Sequence, residues 1–165
     1  MSAADLTIVT ASPELLPGVL RLNEASVPHV NSLSLSDLET LAEAACSFRV
    51  AIHQKKVVGF LLALPTGISY DSLNYRWFSE RYDDFVYIDR IAVDGRLQRA
   101  GIGQRLYADL FERTAEQAAR WTCEVNIEPP NPVSTAFHTR LGFVEVGRQF
   151  TEQGTKQVRL LSKTR

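Results

Sequence analysis

One segment limits the fold of this chain more than any other. Residues 87–103 read as an apolar strand, a short polar loop and the start of a helix that carries Gly101 and Gly103. A strand that runs through a loop into a helix is a building block of mixed α/β folds. Unpaired N–H groups and the positive end of a helix dipole meet at such a helix start, and together they bind phosphate. The segment therefore indicates an α/β fold with an anion site.

The charges of this loop fit an anion. Residues 94–105 carry three arginines and one aspartate, whereas the whole chain has 18 Lys and Arg against 19 Asp and Glu, a net charge of −1. A Gly-x-Gly pattern is also common in ordinary turns, so on this feature alone a phosphate site and plain turn chemistry are equally supported. The near-neutral chain argues against binding of nucleic acid, which needs a basic face.

The rest of the chain alternates strand and helix patterns. Two apolar runs, residues 48–53 and 57–64, are separated by a polar tripeptide and predict an antiparallel hairpin. Other strands are predicted over residues 6–10, 85–93, 121–127, 143–150 and 158–161, and helices over residues 13–22, 36–45, 101–120 and 132–141. Residues 65–84 break the pattern and are predicted to be a long, aromatic-rich connection. We expect residues 1–165 to form a single α/β domain with a central sheet.

Cysteine content and hydropathy exclude several classes of protein. Cys46 and Cys123 show no C-x-x-C spacing, so neither a disulfide framework nor a zinc site is predicted, and we expect no metal. The longest apolar stretch, residues 57–64, is far shorter than the roughly 20 residues that cross a bilayer. The first residues lack the basic and apolar regions of a secretory signal. We therefore expect a cytoplasmic protein without a membrane partner.

Two motifs resemble the signatures of a known family. The spacing Ile-Ala-Val-x-x-x-x-Gln-x-x-Gly-x-Gly in residues 91–103 resembles the acetyl-coenzyme A loop of the GNAT N-acetyltransferases. Residues 131–143, Asn-x-x-Ser-x-x-Phe-His-x-Arg-Leu-Gly-Phe, resemble that family's second signature, Asn-x-x-Ala-x-x-Leu-Tyr-x-Lys-Leu-Gly-Phe. Two signatures in this order are far more specific than either one. The resemblance is strong over residues 85–150, and upstream the order of elements matches.

The resemblance implies a fold and a co-substrate. The GNAT fold is an α/β (α+β) arrangement in which a central mixed, mostly antiparallel sheet of about six to seven strands is flanked by about four helices and splays between the fourth and fifth strands. In the family, acetyl-CoA binds there without a metal, and its pantetheine arm pairs with the fourth strand. The residues implied here are Ile91, Ala92 and Val93 for the arm, the N–H groups of Arg99, Ala100, Gly101, Ile102, Gly103 and Gln104 for the pyrophosphate, and Asn131 for the arm from the next helix.

The resemblance also suggests catalytic residues. Strand alternation places Asp89 on the same face as Ile91 and Val93, and family members carry a base at a matching position, so Asp89 is the predicted base. A structural pairing with Arg90 is the alternative. His138 occupies the place of the family's tyrosine acid and is the predicted acid, with an ordinary surface histidine as the alternative. On the following strand the residue that matches a glutamate base found in the family is Asn126, which cannot act as one.

Two functions follow from the resemblance. The first is an enzyme that transfers an acetyl group from acetyl-CoA to a primary amine of a small molecule or peptide by direct attack, without a covalent enzyme intermediate. The alternative is a non-catalytic acetyl-CoA or CoA-binding regulatory or interaction module, favoured by the missing tyrosine and by Asn126. The aromatic segment, residues 70–85, either lines an acceptor pocket, packs on the sheet or closes a homodimer, which the family often forms. The first loop, residues 26–34, borders the acceptor in the family.

Overall fold

A computed structural model describes residues 5–165 and shows a seven-stranded sheet with five α-helices. The strands are β1 (Leu6–Thr10), β2 (Ser47–His53), β3 (Lys56–Pro65), β4 (Val86–Val93), β5 (Arg120–Glu128), β6 (Val144–Thr151) and β7 (Lys156–Thr164). The helices are α1 (Leu16–Ala25), α2 (Leu35–Ala44), α3 (Leu73–Ser79), α4 (Ile102–Thr114) and α5 (Pro132–Arg140). The strand order is β1-β2-β3-β4-β5-β7-β6.

The sheet is mixed. β1, β2 and β3 pair antiparallel, and so do β5, β7 and β6, whereas β4 and β5 are parallel. The parallel ladder joins Val86 to Trp121 and Tyr87 to Thr122, both at the start of β4. The predicted fold class, an α/β fold with a mixed and mostly antiparallel sheet of six to seven strands, is confirmed.

The described residues divide into two compact units. The first comprises the chain up to Leu64 together with Ile88–Thr114, and the second comprises Pro65–Tyr87 and Ala115–Arg165. In the first unit β3 is buried over almost its whole length, as its uninterrupted apolar run predicts for a strand covered on both faces. Leu106 and Leu110 of α4 are completely buried in the same unit.

In the second unit, helix α3 packs on the antiparallel strands β5, β7 and β6. Aromatic side chains of α3 contribute to the core of this unit. Tyr75 and Phe78 of α3 are buried and contact the ring of Tyr87. The connection predicted to be irregular therefore contains a helix. It begins at Ser72, whose Oγ accepts a hydrogen bond from the N–H of Tyr75 at 3.2 Å. Because this helix spans seven residues and is rich in aromatic side chains, helical periodicity alone does not reveal it.

Two further helix boundaries differ from prediction. Helix α2 begins after Ser34 rather than at Ser36, because Ser34 and Asp37 form a reciprocal capping box. Helix α4 ends at Thr114 rather than at residue 120. The N–H of Ala119, beyond that end, donates to the carboxylate of Asp84 at 3.1 Å, so residues 115–119 serve as a connection instead of a helical turn.

Candidate active site

The predicted phosphate loop lies in the first unit and ends in a helix start with the required donors. The first backbone hydrogen bond into α4 runs from the N–H of Arg105 to the carbonyl of Gly101 at 3.0 Å. The N–H groups of Ile102, Gly103 and Gln104 therefore precede the helical ladder and have no acceptor within it. Gly101 adopts a φ of +78°, which turns the chain into the helix. This end of α4 can bind an anion.

A glycine of β3 brings α4 close to the sheet. A Cβ atom on Gly59 would lie 2.9 Å from Cγ2 of Ile102 and 3.4 Å from the carbonyl oxygen of Ala92. Ile102, the first residue of α4, is almost completely buried there. Because Gly59 has no side chain, the first turn of α4 can pack closely on the strands at this point.

The loop between β4 and α4 is held by Asp94. Its N–H donates to the carbonyl of Val58 at 2.9 Å, and its carboxylate accepts from the N–H of Arg96 at 3.0 Å and pairs with that arginine's guanidinium at 2.7 Å. The hydrogen bonds from the guanidinium of Arg96 and then from its N–H lower the pKa of Asp94 to about 2. Asp94 thus offsets the charge of Arg96, and the guanidinium of Arg105, the last arginine of residues 94–105, donates to the carbonyl of Leu6 at 3.0 Å.

Strand β4 shows the predicted alternation. Ile91 and Val93 are partly exposed, as is the residue Asp89 although its side chain is only 4% exposed, whereas the residues between them are buried. The strand face that is predicted to meet the co-substrate is therefore the more exposed face of β4 at Ile91 and Val93. The pairing of a pantetheine arm with Ile91, Ala92 and Val93 stays a prediction.

The carboxylate of Asp89 is buried in an ion pair. Its side chain is 4% exposed, and Oδ2 accepts from Nε of Arg90 at 2.7 Å. The guanidinium of Arg90 also donates to Oδ1 of Asn23 at 2.9 Å and to the carbonyl of Asn31 at 3.2 Å. The structural pairing considered in the sequence analysis is thus present. Uptake of a proton by Asp89 would weaken this pair, and its role as base stays a prediction.

The same network holds the first loop. Nδ2 of Asn23 donates to Oε1 of Glu24 and to the carbonyl of Asn31, both at 3.0 Å. The Glu24 carboxylate also accepts from the N–H of Leu33 at 3.0 Å and from Oγ of Ser32 at 2.7 Å. These donors, that N–H foremost, lower the pKa of Glu24. The loop between α1 and α2 is therefore tied both to α1 and to Arg90 of β4.

In the second unit, a second carboxylate is fixed by a phenol. The hydroxyl group of Tyr87, whose side chain is buried, donates towards both carboxylate oxygens of Glu124, at 2.7 and 2.9 Å. Glu124 stands on β5 two residues before Asn126 and shares its face. The sequence analysis matched the family's glutamate position to Asn126 and did not single out Glu124. The signal was present, since Glu124 is the one charged residue within the apolar run of residues 121–127.

His138 lies inside the second unit rather than on its surface. The residue is 3% exposed, and its ring makes edge-on contacts with Phe137 and Phe143. Nδ1 lies 2.8 Å from the carbonyl of Ser134 and donates to it. Burial lowers the pKa of His138, so the neutral ring is favoured, with Nε2 as an acceptor. To donate a proton the ring must first become charged, which its burial opposes; its role as acid stays a prediction.

Asn131 begins α5. Its Oδ1 accepts from the N–H of Ser134 at 3.2 Å, and Pro132 follows as the first helical residue. The side chain therefore caps the helix, as its sequence context predicts. Contact of Asn131 with the co-substrate stays a prediction.

Within residues 5–165, no group of three or more His, Cys, Asp and Glu side chains is arranged to hold a metal ion. No helix in this part of the chain is long and apolar enough to span a bilayer.

The sequence of the chain matches a family model. The model of the acetyltransferase (GNAT) family covers residues 19–143, which include both predicted motifs up to Phe143. The chain belongs to the GNAT family. The resemblance inferred from residues 91–103 and 131–143 is thus confirmed. No curated protein matches this GNAT chain.

Solved structures share its fold. The ribosomal-protein-S18-alanine N-acetyltransferase from Escherichia coli is 19% identical with a TM-score of 0.73, over 96% of this chain and 93% of that one. Ard1 from Thermoplasma volcanium is 19% identical with a TM-score of 0.78, over 97% of both chains. Arabidopsis thaliana NAA60, solved with a bisubstrate analogue, is 15% identical with a TM-score of 0.77, over 96% of this GNAT chain and 97% of its own.

Proposed function

We propose that this GNAT protein transfers an acetyl group from acetyl-CoA to a primary amine of a small molecule or peptide, by direct attack and without a covalent enzyme intermediate. The observation that carries the proposal is the start of α4, where the N–H groups of Ile102, Gly103 and Gln104 lie ahead of the first helical hydrogen bond. Membership of an acetyltransferase family supports the same reading.

The residues of the first unit fit the co-substrate. Backbone donors from Arg99 to Gln104 would hold the pyrophosphate, and the backbone of residues 91–93 would hold the pantetheine arm, with Asn131 as a further contact. The close approach of α4 that Gly59 permits keeps these donors near the end of β4. When bound, acetyl-CoA supplies an activated thioester, and such a transfer needs a deprotonated amine and a polarised carbonyl.

The binding site is tested by Gly103→Glu, which adds bulk and negative charge among the phosphate donors. We expect calorimetric affinity for acetyl-CoA to be lost. Gly95→Glu is the matched control, because a Cβ atom at Gly95 meets no atom within 4 Å, and it should retain affinity. Unchanged affinity in Gly103→Glu would refute the placement of the pyrophosphate.

The proton acceptor is tested with two isosteric variants. Asp89 is the first candidate, and Glu124 is the second because Tyr87 orients its carboxylate. We expect the variant of the true base, Asp89→Asn or Glu124→Gln, to lower kcat by about 10²- to 10⁴-fold while coenzyme affinity is kept. Full activity of Asp89→Asn would remove Asp89 from the mechanism, and the same outcome in Glu124→Gln would remove Glu124.

A non-catalytic acetyl-CoA or CoA-binding module is the second candidate function. It is favoured by His138, which replaces the tyrosine of the family pattern and is buried with a lowered pKa. Thiol release over a panel of amines separates the two functions, because intact coenzyme binding without turnover on any amine would support the module. We further propose a cytoplasmic location, supported by Cys46 and Cys123, neither of which forms a disulfide. Formation of a homodimer stays a prediction.

A further inference from the structure

One face of the second unit carries a row of polar groups on β5. Tyr87 and Thr122 are partners in the parallel ladder, so their side chains lie on the same face of the sheet. Because side chains alternate along a strand, Glu124 and Asn126 lie on that face too. The bulge of β5 comes after Asn126, so the alternation is regular up to that residue.

Asn126 has a buried donor without an acceptor. The residue is 6% exposed, and among the described residues its Nδ2 has no hydrogen-bond partner. Most buried polar groups are paired, because an unpaired amide costs free energy. The unpaired Nδ2 of Asn126, two residues along β5 from the carboxylate of Glu124, is explained if a bound ligand supplies its hydrogen-bond acceptor.

Helix α3 covers the same face. Gly147 and Gln149 of β6 stand in the same rows of the sheet as Glu124 and Asn126, through Leu160 and Val158 of β7. The ring of Trp77 packs directly on Gly147, and Asn74 accepts a hydrogen bond from Gln149 at 2.6 Å.

Two other aromatic residues of α3 contact the ring of Tyr87. The ring centroid of Tyr75 lies 5.4 Å from that of Tyr87, and the ring of Phe78 lies 6.0 Å from it. A carboxylate, an amide donor and aromatic rings under one helix suit a small cation that also carries a hydrogen-bond acceptor.

We propose that Glu124 and Asn126 select acceptors in which the amine stands next to a carbonyl group, as in an α-amino amide or the N-terminus of a peptide. Glu124 binds the ammonium, and Nδ2 of Asn126 donates to the carbonyl oxygen. The Cα atoms of residues two apart on a strand are about 7 Å apart, and the amine and carbonyl of such a group are about 3 Å apart, so one ligand can reach both side chains. A plain alkylamine leaves Asn126 unpaired. This inference rests on the proposed acetyl transfer.

The test compares two amines in two proteins. Asn126→Leu removes the donor and keeps the side-chain size, and kcat/KM is measured with glycinamide and with propylamine. We expect a fall of about tenfold with glycinamide and no change with propylamine. The kcat/KM of each amine is compared between the wild-type and the variant protein, so the different basicities of the two amines do not affect the comparison. Asn126→Ala, whose smaller side chain cannot overpack, should show the same selective loss.

Matched controls keep the result interpretable. Ser162 pairs with Thr122 in the antiparallel ladder and lies on the same face, and its buried hydroxyl also has no hydrogen-bond partner among the described residues. We expect Ser162→Ala to leave kcat/KM unchanged with both glycinamide and propylamine. Equal losses with both amines, no loss with either, or a selective loss in Ser162→Ala would overturn the proposal. If the wild-type protein acetylates no amine, calorimetric binding of glycinamide decides: weaker binding to Asn126→Leu supports the site, and equal binding refutes it.

Discussion

Burial sets the protonation state of His138. The folded chain lowers its pKa, whereas the unfolded chain has an ordinary pKa of about 6.5, so the unfolded state binds more protons near that pH. The stabilising contribution of the neutral ring is therefore complete above pH about 6.5 and is lost as the pH falls towards the folded-state pKa.

We expect His138→Asn to remove this acid-induced loss, since asparagine can keep the hydrogen bond to the carbonyl of Ser134 but does not titrate. Urea unfolding at pH about 7.5 and about 5.5 measures the effect. The exposed His29 provides the control, and His29→Asn should behave as wild type. A pH dependence in His138→Asn equal to that of the wild type would show that the buried ring is not its source.

Some contacts of single residues can be predicted from the local sequence pattern, whereas others depend on tertiary packing. The pairing of Asp89 with Arg90 was foreseeable, because the residues are adjacent, although alternation alone would send their side chains to opposite faces. The bond between Tyr87 and Glu124 joins residues 37 positions apart, so no local signal reports it. The burial of His138 was missed for the same reason, since it depends on Phe143 from beyond the helix end.

At the scale of elements, two Arg–Asp pairs of the first unit, each with a buried arginine, allow a comparison. Arg90 pairs with Asp89 and anchors the first loop, while Arg49 pairs with Asp109 of α4 at 2.9 Å. Arg90→Met removes this guanidinium from the buried carboxylate of Asp89 and should cost about 3–5 kcal/mol of stability. Arg49→Met should cost less, because Asp109 is more exposed and keeps its ion pair with Arg113 at 3.1 Å.

We expect only Arg90→Met to loosen the loop. The N–H of Leu33, which donates to Glu24, should then exchange with solvent at least about tenfold faster relative to the global unfolding rate, whereas Arg49→Met should leave that ratio unchanged. Hydrogen exchange followed by NMR measures both. Equal effects of the two variants on Leu33 would mean that Arg90 stabilises the unit without holding the loop.

Elements with a strong period were predictable. The strand over residues 6–10 and the hairpin were found from alternation and a polar turn, and their bounds agree within one or two residues. Helix α3 was not found, because its stability comes from tertiary burial of Tyr75 and Phe78 rather than from helix propensity. The start of α2 was misplaced by two residues, since Ser34 and Ser36 are both acceptable caps in sequence and the capping box with Asp37 decides between them.

For the whole molecule, the family could be predicted but the division into two units could not. Both family motifs are local, and their order along the chain is enough to identify them. The chain changes unit after Leu64, Tyr87 and Thr114, and the second of these points lies inside β4, where the strand pattern continues without a Pro or Gly. The alternation of apolar and polar residues along a strand does not show where the tertiary contacts of that strand change.

Co-substrate binding should be visible in the stability of the whole molecule. A ligand that binds only the native protein adds about 2.7 kcal/mol at 100 times its Kd. At about 2–4 °C per kcal/mol for a chain of this size, saturating acetyl-CoA should raise Tm by about 5–11 °C. The rise should vanish in Gly103→Glu, whose added carboxylate opposes the pyrophosphate at the start of α4, and persist in Gly95→Glu. Scanning calorimetry with and without acetyl-CoA measures it, and an equal rise in both variants would mean that the ligand binds away from this helix start.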